Sequence, residues 1–122
     1  MIIGIGTDII EIDRIKKAIE NNKNFLKKVF TIKEIEMFEK RNMRFEVIAG
    51  NFAAKEAISK AIGTGIRGFS LLDIQILRDE LGKPIAYLSN NIDKVIKKNY
   101  TINISISHNK TSAIAFAVLE EL

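Results

Sequence analysis

The sequence predicts an α+β fold in which an antiparallel sheet packs against helices. Three observations support this class: alternating apolar patterns lie near both ends of the chain, helical patterns fill the middle, and no regular βαβ repeat is visible. The chain has 122 residues, which is the length of one domain with an ordinary hydrophobic core. We therefore expect a single domain over residues 1–122.

The first half of the chain is predicted to hold one strand followed by helices. Thr31 and Glu34 form a capping-box pattern, which marks the start of a helix. Gly63 follows the longest helical pattern, at a favourable position for a helix end. Residues 25–30 are ambiguous. The predicted elements are a strand at 2–12, a short helix at 13–22, a helix from 31 to about 41 and a longer helix at about 44–62.

The second half of the chain returns to strand-like alternation. Residues 79–84 have turn chemistry, and Ser89 or Asn90 is a candidate helix cap. A polar turn at 108–112 separates the last two strands. The predicted elements are strands at 72–78, 85–88, 101–107 and 113–119, with a helix from 89 or 90 to about 98.

Charge and composition restrict the partners and the compartment of the chain. A net charge of +4 and a pI near 9.4 favour anionic partners such as nucleic acid, phosphorylated ligands or an acidic protein. The basic residues are dispersed rather than clustered with stacking aromatics, which argues against nucleic acid. The absence of cysteine excludes disulfides and zinc–thiolate sites and is consistent with the cytoplasm. No secretory signal or membrane-crossing apolar run is visible, so we expect no membrane partner.

Asp8 interrupts an otherwise apolar strand pattern. On an ideal strand it shares a face with Gly4 and Gly6, which leave room for a ligand or another backbone to approach. A buried acid is costly unless a cation meets it. The structural alternative is a helix cap or a paired surface carboxylate. The same ideal face carries Ile2 and Ile10, and the opposite face carries Ile3, Ile5, Thr7 and Ile9.

Glu56 lies on a helix face built mostly from small or apolar residues. Its partner at i+4 is Lys60, so a plain helix ion pair is the structural alternative. Together with Asp8, however, Glu56 suggests a hard divalent cation held between two elements. Phosphate chemistry is therefore the leading hypothesis from the residues alone.

Two further segments are weaker candidates for binding or catalysis. The glycines of Gly63-Thr64-Gly65 permit close backbone approach to phosphate, although a helix C-cap and turn is the simpler interpretation. Because a helix C-terminus repels anions, a phosphate there would need Lys55, Lys60 or Arg67. His108, the single histidine, ends an alternating strand and is either structural or placed to bind phosphate or steer a proton.

Three segments together resemble the holo-acyl-carrier-protein synthase family, the small bacterial 4′-phosphopantetheinyl transferases. Their order and spacing carry the resemblance over nearly the whole chain, and Gly82-Lys83-Pro84 also resembles the family pattern. The three segments are residues 4–15, residues 52–66 and residues 104–108 with the strand that follows.

The resemblance implies an activity and an assembly. The family transfers 4′-phosphopantetheine from coenzyme A to a serine of acyl carrier protein in fatty acid biosynthesis and releases adenosine 3′,5′-bisphosphate. Its members assemble as homotrimers with active sites between subunits. We therefore expect Mg²⁺ as the cofactor, coenzyme A as the substrate and acyl carrier protein as the partner.

The resemblance also implies residue roles. Asp8 and Glu56 would hold Mg²⁺ against the pyrophosphate of coenzyme A, and Lys60 would neutralise phosphate charge. His108 would lie near the phosphates, and Gly82-Lys83-Pro84 would border the adenosine. Arg14 matches the arginine that grips the acidic carrier. By the same resemblance, coenzyme A would also contact Gly63, Thr64 and Gly65.

One position departs from the family pattern, and one role stays open. The family commonly has arginine where this chain has Asn51, so one basic contact is in doubt, with Lys40, Arg41 or Arg44 as replacements. The base for the incoming serine is Glu56, Asp8 through water, or an unidentified group.

Two other classes of function compete with the transferase. A small basic RNA- or DNA-binding module accounts for the pI but leaves Asp8 and Glu56 unexplained. A Mg²⁺-dependent phosphohydrolase explains both acids but gives no role to Arg14 in carrier docking.

Overall fold

The structure is a computed structural model that describes residues 1–122. It has five strands and five helices, with a 3₁₀ turn before the second strand. In chain order these are β1 (Ile2–Glu11), α1 (Ile12–Asn21), α2 (Phe25–Val29), α3 (Ile32–Lys40), α4 (Phe45–Ile62), the 3₁₀ turn (Leu71–Asp73), β2 (Ile74–Arg78), β3 (Pro84–Leu88), α5 (Asn90–Ile96), β4 (Tyr100–His108) and β5 (Ser112–Glu121).

The strands form two antiparallel sheets, which confirms the predicted α+β class. One sheet has the order β1-β5-β4, and the other is the β2–β3 hairpin. Helix α4 packs across one face of the three-stranded sheet, where Ala113, Ala115, Ala117 and Leu119 of β5 are buried. The register places Ala115 between Asp8 on β1 and Ile106 on β4.

Strand β1 and helix α4 touch backbone to backbone. A Cβ added at Gly4 would lie 2.0 Å from the Ala61 carbonyl oxygen, and one at Gly6 would lie 1.9 Å from that of Ala57. The glycines therefore admit another backbone, which is one of the two uses expected from the sequence. The predicted ideal alternation is wrong at the start of β1, because an irregularity between Ile2 and Gly4 lets Ile3 pack against the core.

The helix boundaries follow local chemistry. The Thr31–Glu34 capping box is present, and Gly63 ends α4 at φ 90°, so both predictions are confirmed. The ambiguous stretch contains α2. The strand predicted from residue 72 begins only at Ile74, because Ser70 and Asp73 close a capped 3₁₀ turn before it. Ser89 caps α5, as expected.

None of the helices has both the length and the apolar character needed to span a bilayer.

Candidate active site

Asp8 and Glu56 line the same cleft, although they are 48 positions apart in the sequence. Asp8 lies on the face of β1 that meets α4, and Glu56 lies half-buried on α4. The cleft measures about 260 Å³, and Arg14 lines it as well. Apolar walls surround these three charged groups, and they come from Ile9, Ile10, Ile15, Ala18, Phe25 and Phe52.

Lys60 joins α4 to β1 at the edge of this cleft. Its Nζ donates to the Thr7 carbonyl oxygen at 2.9 Å and to Asp8 Oδ1 at 3.2 Å. The helix ion pair with Glu56, which was the structural alternative, is not formed. Lys60 therefore holds the Asp8 carboxylate and presents an ammonium group beside it, with its side chain 56% exposed.

The electrostatics of the cleft favour a cation. Burial raises the pKa of Glu56, the negative charge of Asp8 raises it further, and Lys60 opposes the shift. A carboxylate whose ionisation is disfavoured by burial and by a neighbouring carboxylate is stabilised by a divalent ion that binds both.

The donor set fits Mg²⁺. Asp8 and Glu56 offer hard oxygen atoms, and no cluster of three or more potential metal-binding side chains is present. A Mg²⁺ ion commonly takes one or two carboxylates and fills its other positions with water and substrate phosphate. The cleft therefore provides the protein share of such a site.

Neither His108 nor the glycine loop lines the cleft. His108 pairs with Ala113 at the end of β4, so it is on the sheet face that meets α4, two strands away from β1. It is exposed. Gly63 and Gly65 have φ of 90° and 67°, and the space beside them is open. Gly63 lies one turn beyond Lys60, so a ligand that reaches Lys60 would approach this loop.

The Gly82-Lys83-Pro84 segment lies apart from the cleft. It forms the turn between β2 and β3, where Gly82 has φ 87° and Asp79 accepts from the backbone N–H of Lys83 at 2.9 Å. None of its residues lines the cleft of Asp8 and Glu56. One chain thus brings together Asp8, Glu56, Lys60 and Arg14 but not the hairpin turn.

Lys55 does not serve as a phosphate ligand, so the sequence interpretation that offered it is wrong. Its side chain is 0% exposed and pairs with Glu34 in the interior. One signal for this arrangement is present in the sequence, because Lys55 sits among the small and apolar residues of α4. We missed its partner Glu34, since nothing in the sequence brings α3 against α4.

Asn51 is also buried, and the basic residues considered as replacements for arginine at this position lie elsewhere. Its Nδ2 donates to Glu34 Oε2 at 3.1 Å and to the Ile76 carbonyl oxygen at 3.0 Å. Of the proposed replacements, Lys40 and Arg41 line a cavity of about 530 Å³, whereas Arg44 pairs with Glu46 at 3.7 Å. The cavity is also lined by Lys33, Glu36, Met37, Leu77 and Arg78.

Arg78 is a basic residue that the sequence analysis overlooked. Burial, and then the charge of Arg41, lowers the pKa of its guanidinium, and Nη1 donates to the Gly82 carbonyl oxygen at 3.1 Å. Its Nε is buried without a partner. A guanidinium whose charge is disfavoured by burial and by a neighbouring cation is stabilised by an anion. The cavity therefore suits an anionic group.

Arg14 lies between the cleft and the outer surface of α1. It is exposed and makes no ion pair, whereas the neighbouring Lys17 pairs with Asp13 at 2.9 Å. A second, shallower depression adjoins Arg14 and is lined by Lys17, Ala18, Asn21, Asn22 and Phe25. The guanidinium is therefore free to bind an external carboxylate close to Asp8 and Glu56.

Comparisons with known proteins agree with this chemistry. The family model of the 4′-phosphopantetheinyl transferase superfamily matches residues 4–118. The holo-[acyl-carrier-protein] synthase of Clostridium perfringens is 62% identical over 98% of this chain and 95% of its own length. That of Clostridium botulinum is 61% identical over 98% of both chains.

Solved structures give the same result. The holo-(acyl-carrier-protein) synthase of Bacillus anthracis, in complex with CoA (3′,5′-ADP), matches with a TM-score of 0.83 and 40% identity over 100% of this chain and 99% of its own. The Helicobacter pylori synthase in complex with coenzyme A matches with a TM-score of 0.84 and 35% identity over 95% of this chain and 99% of its own. This chain therefore belongs to the holo-[acyl-carrier-protein] synthase family, and it is an enzyme, a 4′-phosphopantetheinyl transferase.

Proposed function

We propose that the chain, as a single domain over residues 1–122, transfers 4′-phosphopantetheine from coenzyme A to a serine of apo acyl carrier protein. The reaction releases adenosine 3′,5′-bisphosphate, requires Mg²⁺ and serves fatty acid biosynthesis in the cytoplasm. The observation that carries the proposal is the meeting of Asp8, Glu56 and Arg14 at one cleft, with Lys60 bonded to Asp8 at its edge. The nucleic-acid alternative leaves this arrangement without a role.

Asp8 and Glu56 would hold Mg²⁺, and Lys60 acts beside them. When bound, the ion would supply charge neutralisation to the pyrophosphate. The Lys60 ammonium already donates to Asp8, so it orients that carboxylate and adds a positive charge for the phosphates. The proton of the incoming serine goes to Glu56, to Asp8 through water, or to a group still to be identified.

Coenzyme A would extend from this cleft over the surrounding polar elements. We assign the phosphates to Lys60, His108 and the Gly63-Thr64-Gly65 loop, and the adenosine to Gly82-Lys83-Pro84. The basic cavity lined by Lys40, Arg41 and Arg78 would supply cationic charge in place of the arginine that the family commonly has at position 51. A phosphate of the nucleotide is the anion that we assign to it.

A homotrimer would bring these separated parts together. The sheet face opposite α4 carries exposed apolar side chains, an arrangement typical of a surface that another protein covers. The hairpin turn of Gly82–Pro84 is outside the cleft of its own chain, so we place active sites between subunits. The exposed apolar residues on this face are Ile5 at 58%, Ile9 at 65%, Ile114 at 44% and Phe116 at 42%.

Mass spectrometry of the carrier tests this function. The enzyme is incubated with coenzyme A, apo acyl carrier protein and Mg²⁺, and the carrier is weighed before and after. A phosphopantetheine mass addition supports the transferase. An unchanged carrier with coenzyme A hydrolysed would indicate a phosphohydrolase, and an unchanged carrier with intact coenzyme A would refute both activities.

A further inference from the structure

A charged pair lies wholly inside the molecule, away from the cleft. Glu34 of α3 and Lys55 of α4 are both 0% exposed, and Lys55 Nζ lies 2.6 Å from Glu34 Oε1. Withdrawing two charges from water is costly, and apolar replacements for such a pair are often equally stable or more stable. The pair is therefore poorly explained as a source of stability.

Lys55 ties several elements to α4. Beyond Glu34, its ammonium group donates to three backbone carbonyl oxygens, each within 3.0 Å. It also lies 5.0 Å from the centre of the Phe30 ring. Four elements therefore converge on one side chain. The carbonyls belong to Val29 of α2 at 2.8 Å, Leu71 of the 3₁₀ turn at 3.0 Å and Ile74 of β2 at 2.7 Å.

Glu34 completes the network from the other side. Its Oε1 accepts from the Thr31 backbone N–H at 3.0 Å. Its Oε2 accepts from Asn51 Nδ2 at 3.1 Å and from the Ile76 backbone N–H at 3.2 Å. Asn51 and Lys55 are one turn apart on α4, so Glu34 holds two successive turns of that helix. We call Glu34, Asn51 and Lys55 the buried clamp.

The clamp and strand β1 hold opposite sides of α4. At about 100° per residue, Asn51 and Lys55 lie roughly 40° apart around the helix. Ala57 and Ala61, which meet the β1 glycines, lie about 200° and 240° around from Lys55. Glu56 and Lys60 lie between these two contacts, at about 100° and 140°. The helix is thus restrained on both sides of its functional residues.

We propose that the buried clamp positions the active site, by fixing the rotation and depth of α4 so that Glu56 faces Asp8 and Lys60 reaches it. The inference rests on the proposed function for the role of these residues in catalysis. Glu34, Asn51 and Lys55 are positioning residues, since none of them lines the cleft. The same arrangement accounts for asparagine at position 51, which is held by Glu34 and the Ile76 carbonyl instead of facing a ligand.

A double variant separates positioning from stability. Glu34→Leu with Lys55→Met removes both charges together, so neither is left buried alone. Ile92→Ala in α5 is the control, because it removes buried apolar volume outside α4. Three properties are measured: the melting temperature, the Kd for Mg²⁺ in the presence of coenzyme A by calorimetry, and the metal-free crystal structure. If the double variant does not fold, Asn51→Leu is measured in the same way, since it leaves the ion pair intact.

The expected results differ between the variants. The double variant should bind Mg²⁺ roughly 10- to 100-fold more weakly, which is the usual effect of losing groups that orient metal ligands. Its metal-free structure should show α4 rotated and Lys60 beyond 4.0 Å from Asp8, the limit for an ion pair. Asn51→Leu should weaken Mg²⁺ binding and displace α4 in the same direction, by a smaller amount. Ile92→Ala should lower the melting temperature only.

Two outcomes have separate meanings. If a clamp variant keeps Glu56 and Lys60 in unchanged positions and binds Mg²⁺ with wild-type affinity, the positioning role is overturned. If the wild-type protein binds no Mg²⁺, the proposed metal chemistry fails, and the metal-free structures still decide whether the clamp sets the position of α4.

Discussion

At the residue scale, the cleft holds two carboxylates, and the charge of Asp8 disfavours the ionisation of Glu56. Ionisation of Glu56 is penalised, because burial and the charge of Asp8 both raise its pKa above the ordinary value of 4.5. Functional sites commonly keep such groups at a cost to stability. This cost gives a prediction that can be tested without substrate.

We predict that Glu56→Gln raises the free energy of unfolding at pH 7 in Mg²⁺-free buffer. The pKa of Glu56 in the folded state lies above 4.5. At higher pH the folded state therefore carries an ionised carboxylate at a cost in folding free energy. That cost fades as the pH falls through the folded pKa and is absent below 4.5. Urea denaturation should therefore show a gain at pH 7 that disappears near pH 4. Glu20→Gln on the exposed surface of α1 is the control and should give no gain at either pH.

Arg14 gives a second prediction at this scale. Because its guanidinium is exposed and has no acidic partner in the chain, we expect it to bind a carboxylate on the carrier protein. Arg14→Ala should raise the KM for the carrier, while the KM for coenzyme A stays nearly unchanged. The fall in kcat/KM should correspond to a loss of about 1–3 kcal/mol in transition-state stabilisation. Arg14→Lys should rescue poorly, since lysine lacks the bidentate geometry.

Steady-state kinetics with each substrate varied in turn tests the Arg14 prediction. The advantage of the wild type should also shrink as salt rises, because exposed charges are screened. A selective defect in coenzyme A binding would place Arg14 elsewhere in the mechanism.

At the element scale, the site depends on the contact between β1 and α4. This contact requires glycine, since a side chain at position 6 would meet the Ala57 carbonyl oxygen. The helix backbone then lies directly on the strand that carries Asp8. The spacing between the two metal-binding candidates is thus set by a pair of glycines as well as by the clamp.

We predict that Gly6→Ala destabilises the protein by about 3 kcal/mol, because strand and helix must separate to admit a Cβ. Gly50→Ala is the control within α4, where the added Cβ meets only the Ile106 side chain at 2.9 Å. Alanine also favours the helix over glycine by roughly 1 kcal/mol, and a side chain rather than a backbone carbonyl must move, so this variant should lose much less stability than Gly6→Ala. Thermal denaturation of both proteins tests the contact, and equal stability for Gly6→Ala and wild type would contradict it.

The elements were largely predictable where local chemistry determines them. The Thr31–Glu34 capping box, the Gly63 helix end and the alternation of β4 are properties of neighbouring residues. The irregularity at the start of β1 and the 3₁₀ turn before β2 were missed, because strand pairing and the Ser70–Asp73 cap override the alternating pattern there.

At the scale of the whole molecule, the apolar outer face of the three-stranded sheet bears on assembly. We predict a homotrimer, with a mass near three chains of 13.8 kDa in sedimentation equilibrium. Phe116→Lys on that face should dissociate it, since a charge cannot be buried there without a partner. Ile32→Lys on the exposed surface of α3 is the control and should leave the mass unchanged. A monomer that stays fully active at nanomolar concentration would remove the model of active sites between subunits.

The site was only partly predictable from the sequence. Asp8 and Glu56 stood out because they are acids in apolar surroundings, and the fold brings both to one cleft. Lys55 was misread, because a lysine is ordinarily exposed and its four partners come from elements that only the fold brings together. Arg78 was missed because an arginine is also ordinarily exposed, and only the fold brings Arg41 close to it.

The most direct test of the account is the transfer rate of Asp8→Asn and Glu56→Gln as Mg²⁺ is varied. Each substitution removes an anionic oxygen while keeping the side-chain shape, so circular dichroism should show an intact fold. We predict that kcat/KM falls by about 100-fold or more for both variants, and that the fall is largest at limiting Mg²⁺. Near-normal turnover by either variant at limiting Mg²⁺ would contradict the two-carboxylate metal site.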